Sequence, residues 1–134
     1  MRQIKSKAVM SQFEQFIGFV EEVLSSIGMA KKTIFSLMTV SEEIIVNIIH
    51  YAYTEKQGDL EIVFESDGQS IWLTFIDEGT PFNPLIQSQV DTSLQAHERE
   101  IGGLGIHMIK SMTDRVIYNY KDGKNILTIE KQIQ

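Results

Sequence analysis

Apolar residues in the first quarter of the chain recur every three to four positions. Phe13, Phe16, Ile17, Val20, Val23, Leu24 and Ile27 form one stripe, and Gly28 follows as a stop signal, which predicts an amphipathic helix. From Ala30 to about Tyr53 no Gly or Pro intervenes, so one long second helix is expected; the alternative is a separate helix capped by Ser41. Beyond it the period changes from helical to alternating. Residues 59–66 (DLEIVFES) and 69–77 (QSIWLTFID) read as strands joined by Asp67-Gly68, a dipeptide suited to a type I′ hairpin turn. The device returns as VIYNYK, Asp122-Gly123 and KNILTIEK. Residues 2–8 alternate weakly and read as a short edge strand.

Between the two hairpins lies a polar stretch, residues 78–101, which holds both prolines and is followed by a short helix over 103–113. A structureless connection longer than about 15 residues inside a compact domain is commonly a lid or binding loop. The helices must bury their stripes against one face of the sheet, which predicts a single α+β domain over residues 1–134, built as a two-layer sandwich.

Composition narrows the function classes. With 43% apolar and 22% charged residues the chain is globular, and at 134 residues one core suffices. The absence of cysteine excludes disulfides and thiolate metal sites. A net charge of -6, with no basic cluster, argues against direct nucleic-acid binding. Gln12, Glu14 and Gln15 interrupt what would be the apolar core of a signal peptide, and no uninterrupted apolar run approaches the length of a membrane span, so a cytoplasmic protein is expected.

Three short stretches carry candidate chemistry. In SEEIIVNIIHYAY, residues 41–53, Glu43 and Asn47 lie four apart on one helical stripe, with a rise between them of about 6 Å. An amide oxygen suits Mg²⁺, a hard cation that takes oxygen ligands. A carboxylate beside it can accept a proton from an attacking hydroxyl. The plainer reading is that both residues cross the solvent edge of an amphipathic helix. Asp77-Glu78-Gly79 ends an apolar strand, where a carboxylate can accept from a purine's exocyclic amine and Gly79 lets the backbone approach a flat base. An ordinary strand-to-turn signal would look the same. In GGLGIHMIKSM, Gly102 and Gly103 permit a sharp turn into a helix whose free N–H groups favour phosphate, and Gly105 costs on the order of 1 kcal/mol inside that helix.

In that order within one small domain, the acid-amide helix, the D-x-G strand end, the polar lid and the glycine-rich helix start resemble the N, G1 and G2 boxes of the GHKL ATPase superfamily. Length and detail resemble its anti-sigma-factor serine/threonine kinases over most of residues 8–132. The resemblance implies a mainly antiparallel mixed sheet covered on one face by three helices, with an ATP lid at about 80–101. It implies ATP and Mg²⁺ as cofactors, Glu43 as general base and Asn47 as metal ligand. It implies Asp77 with Gly79 at adenine, Thr128 sharing a water with that Asp, and Gly102, Gly103, Leu104, Gly105 and Ile106 at the phosphates. The partners it implies are an anti-anti-sigma (STAS-type) protein as substrate, a sigma factor as client, and a second copy of the chain in a homodimer.

The sequence departs from the pattern where many relatives carry His four residues after the Asn. Here Tyr51 stands at that position and His50 precedes it, and His50 reads as a helix-face residue. Arg99 and Lys110 are cations that could meet phosphate or simply be solvated. Trp72, Phe75 and the methionines are accounted for by packing. The rival reading is a catalytically silent, nucleotide-responsive binding module; retention of Glu43 favours the kinase. The ATPase part of a sensor histidine kinase is a third reading, disfavoured because residues 1–30 leave no room for a phosphoacceptor hairpin.

Overall fold

A computed structural model describes residues 1–83 and 107–133. The chain begins with strand β1 (Arg2–Lys7), passes a single 3-10 turn (Met10–Gln12) and enters helix α1 (Phe13–Ser26). Gly28 follows with φ +76, a conformation that costs a glycine nothing and stops the helix where the sequence predicted. Helix α2 (Lys31–Tyr51) is continuous. Ser41 is therefore not a cap. It lies mid-helix and fully buried, its Oγ without a hydrogen-bond partner among the described residues.

Strands β2 (Asp59–Ser66) and β3 (Ser70–Asp77) form the first hairpin. Its turn is longer than the two-residue type I′ expected: only Gly68 takes positive φ (+91), while Asp67 Oδ1 accepts the N–H groups of Gln69 (2.9 Å) and Ser70 (2.8 Å). Those two bonds pull the Asp67 carboxyl below its ordinary range. The second hairpin, β4 (Arg115–Lys121) and β5 (Lys124–Gln132), does turn on two residues of positive φ, Asp122 (55) and Gly123 (77). Residues 107–112 are helical and are designated α3; the expected start of this helix at 103, with the glycine run, lies outside the described residues.

Among the described residues the five strands are ordered β1-β2-β3-β5-β4 and every neighbouring pair is antiparallel, where a mainly antiparallel mixed sheet was expected. Period-two alternation divides its residues cleanly. Ile71, Leu73, Phe75 and Asp77 of β3 point to the helical side with Leu127 and Ile129 of β5, where they meet Phe16, Val20 and Leu24 of α1 and Leu37, Val40 and Ile45 of α2. Each large side chain so buried contributes roughly 1.5–3 kcal/mol. α2 has the length and apolarity of a membrane-crossing helix, with a hydropathy of 1.3, but five of its residues are buried in the core. Trp72, Thr74 and Ile76 of β3 and Ile126 and Thr128 of β5 take the opposite, half-buried face.

Candidate functional site

The last two turns of α2 and the ends of β3 and β5 leave a cleft of about 150 Å³, the size of an engineered cavity known to take one benzene. Ile44, Ile48, Phe75, Ile109 and Leu127 give it apolar walls; Asp77 and Asn125 are its buried polar residues, Asn47 is half-buried, and Tyr51, Phe82 and Tyr118 form its aromatic rim. An apolar slot with a few convergent polar groups is the usual form of a small-ligand site.

Asn47 reaches the cleft because its helical position shares the stripe of Ile44 and Ile48. Its Oδ1 is buried and finds no hydrogen-bond partner among the described residues. Such an atom costs about 1–3 kcal/mol unless something satisfies it. Glu43, one turn earlier, is half-buried. Burial raises its carboxyl above the ordinary range, and a hydrogen bond with the Asn47 side chain opposes that rise.

Asp77 is only 5% exposed, at the end of the buried phase of β3. Its Oδ1 accepts two hydrogen bonds, from Gly79 N–H and from Asn125 Nδ2, both at 2.9 Å. Loss of solvent raises the carboxyl above its ordinary range, and those two bonds hold it back. Neither uses Oδ2, which is left for a donor on a ligand. Gly79 is required by the fold itself. A Cβ there would sit 2.1 Å from the carbonyl oxygen of Ala52, so its close neighbour is the protein's own backbone. The same carbonyl accepts Thr80 N–H at 2.8 Å. Tyr53 adds a second tie: its hydroxyl donates to Asp59 O (2.6 Å) and accepts from Glu78 N–H (2.7 Å), fixing the helix end against both β2 and β3.

Thr128 does not take the place expected of it beside Asp77. It pairs with Thr74 across the sheet, their hydroxyls 3.1 Å apart, on the face away from the cleft. The residue opposite Asp77 is Asn125. Sequence reasoning missed it, although the signal was present: Asn125 is a polar residue in phase with Leu127 and Ile129, one full alternation from the core. Tyr118, whose hydroxyl donates to Asn125 Oδ1, and Tyr53 were also missed. His50 is exposed, as a helix-face residue should be, whereas Tyr51 lines the cleft while remaining 47% exposed. Lys110 is exposed on α3. Gly102, Gly103, Leu104, Gly105, Ile106, Arg99 and lid residues 84–101 lie outside the described residues.

Residues 7–131 match the histidine kinase-like ATPase domain family. The chain belongs to that family. Among curated proteins it is similar to the serine-protein kinase RsbW of Bacillus mycoides (strain KBAB4), 26% identical over 116 residues, covering 84% of this chain and 72% of that protein. Among solved structures it is similar to the RsbU and RsbW domains of a Mycobacterium tuberculosis protein, with a TM-score of 0.65, 14% identity and 99% of this chain covered. The chain spans 33% of that longer protein. It is also similar to the SiaB-SiaC complex of Pseudomonas aeruginosa, with a TM-score of 0.58, 18% identity, and 99% of this chain and 90% of that one covered. At those identities the two structures share the fold with this histidine kinase-like ATPase domain. The five-stranded antiparallel sheet under its helices is the GHKL arrangement expected from the sequence.

Proposed function

We propose that this domain binds ATP in the α2–β3–β5 cleft and transfers its γ-phosphoryl group to a serine or threonine hydroxyl of a partner protein. The observation that carries the reading is the buried Oδ1 of Asn47, without a hydrogen-bond partner among the described residues, in the same cleft as the buried carboxylate of Asp77. One asks for a cation, the other for a hydrogen-bond donor on a flat ring, and a nucleotide with its metal supplies both.

Asn47 fits the Mg²⁺ that such a nucleotide brings, because it offers a neutral hard oxygen with no hydrogen-bond partner among the described residues. The ion would neutralise charge on the phosphates. Asp77 accepts from the exocyclic amine through Oδ2, and the apolar walls cover the ring. Glu43 takes the proton from the partner's hydroxyl as that oxygen bonds to the γ-phosphorus and the bond to the leaving ADP breaks. Burial suits Glu43 to this, since a carboxylate of raised pKa is a stronger base at neutral pH. Gly102, Gly103, Leu104, Gly105 and Ile106 are assigned to the phosphates. Phosphoryl transfer asks mainly for positioning and charge stabilisation, so this short set is sufficient.

The similarity to the serine-protein kinase RsbW supports the kinase reading; that the domain is an anti-sigma regulator acting on a STAS-type anti-anti-sigma protein, with a sigma factor as client and a homodimer as working form, is the part of the proposal that rests on the sequence resemblance. Mg·ATP is expected to raise the melting temperature, by about 2.7 kcal/mol of added stability at a hundredfold excess over Kd. Asn47→Ala is expected to lose most of that shift; a wild-type melting temperature indifferent to Mg·ATP refutes the reading. Glu43→Ala is expected to keep the thermal shift and lose transfer of labelled γ-phosphate to the partner. Transfer at the wild-type rate would remove Glu43 as the base, and binding without transfer in the wild type would make the domain a nucleotide-responsive binding module.

A further inference from the structure

Asn125 makes more side-chain hydrogen bonds than a packing residue needs, and their directions are fixed. Its Oδ1 accepts Phe82 N–H at 3.1 Å and the Tyr118 hydroxyl; its Nδ2 donates to Asp77 Oδ1 at 2.9 Å and to Thr80 O at 3.0 Å. A backbone N–H can only donate and a backbone carbonyl can only accept, so the amide cannot be turned over without breaking both. The nitrogen end therefore always faces Asp77. Gly79 N–H, another obligate donor, meets the same carboxylate oxygen. Oδ1 of Asp77 is thus held as an acceptor by two groups that can do nothing but donate.

We propose that Asn125 is a specificity-determining residue: with Gly79 N–H it donates to Oδ1 and so favours the ionised carboxylate of Asp77, whose Oδ2, without a partner among the described residues, then selects a 6-amino purine and rejects a 6-oxo purine. The inference rests on the nucleotide reading above and adds to it the residue that sets the base preference. A 6-oxo base presents a carbonyl where Asp77 also presents an acceptor, and the two repel. For Asp77 to donate instead it would have to be protonated, the form that Asn125 and Gly79 disfavour. The other titratable groups facing Asp77 are Glu78 beside it and the phenols of Tyr53 and Tyr118, both of which burial pushes toward the neutral form. Tyr118 is a positioning residue in this arrangement, acting through the oxygen end of the amide.

The test is equilibrium binding of ATP and inosine triphosphate, with Mg²⁺, to wild type, Asn125→Asp and Asn125→Ala. Wild type is expected to prefer ATP by about tenfold or more, the scale of one hydrogen bond to a charged group. Asn125→Asp keeps the shape of the side chain but loses the donor and sets a second carboxyl against Asp77, so that the pair holds a proton. Its ATP preference is expected to fall about tenfold, and that of Asn125→Ala to fall in the same direction. A purely structural role would weaken both nucleotides alike and leave their ratio unchanged. An unchanged ratio in a folded variant overturns the proposal, and so does equal affinity of wild type for the two nucleotides, a result that requires no variant to fold. Failure of wild type to bind either nucleotide would instead overturn the ATP-binding reading itself.

Discussion

Asp77 is an ionisable group in a place that does not favour its charge. Its folded-state pKa lies above the ordinary 3.8, because burial outweighs the two hydrogen bonds it accepts. Across the window from 3.8 upward to that raised value the folded chain holds a proton that the unfolded chain has released, so stability falls as pH rises. Asp77→Asn keeps an acceptor oxygen for Gly79 and Asn125 and removes the charge. The variant without nucleotide is expected to be at least as stable as wild type at neutral pH, with a flatter pH–stability curve, while losing the thermal shift given by ATP. Chemical denaturation at a series of pH values checks this, and a destabilised variant with the wild-type slope would contradict it. Asp77 and Asn47 were legible as candidates because polar groups on an otherwise apolar phase stand out in sequence. Asn125 was as visible by that criterion, but residue type drew attention to Thr128, and only the cross-strand register shows which of the two shares a face with Asp77.

At the scale of elements, the helix and strand spans were readable because hydrophobic period and punctuation agree: α1 ends at a glycine of positive φ, and the β4–β5 turn uses Asp-Gly as its dihedral angles require. What the sequence could not carry was how elements meet. Gly79 reads in sequence as room for a ligand, and the fold shows that it is also room for Ala52, a contact made by chain segments far apart in sequence. Gly79→Ala is therefore expected to cost about 1–3 kcal/mol through a clash with backbone that cannot rotate away. At Gly18, within α1, an added Cβ would meet nothing within 4 Å, so Gly18→Ala is expected to stabilise by about 0.5–1 kcal/mol. Paired urea titrations should return opposite signs; a neutral Gly79→Ala would mean that the Ala52–Thr80 tie is not rigid.

The whole molecule is two-sided, with the cleft on the helical side of the sheet and a half-buried polar and apolar face behind it. Trp72, the sole tryptophan, stands on that rear face, paired with Glu65 of β2 and Glu130 of β5. Its fluorescence is expected to be nearly indifferent to ATP, and a large spectral shift on nucleotide addition would contradict the sidedness described here. Ala52 O and Thr80 N–H meet at 2.8 Å, so residues 53–79 leave the cleft and return to almost the same point. The tip of that excursion, Asp67-Gly68-Gln69, lies roughly 23 Å along β3 from Asp77, at about 3.3 Å per residue. An epitope or fluorophore spliced in at the tip would therefore ride on the protein as a handle while the nucleotide slot kept its shape.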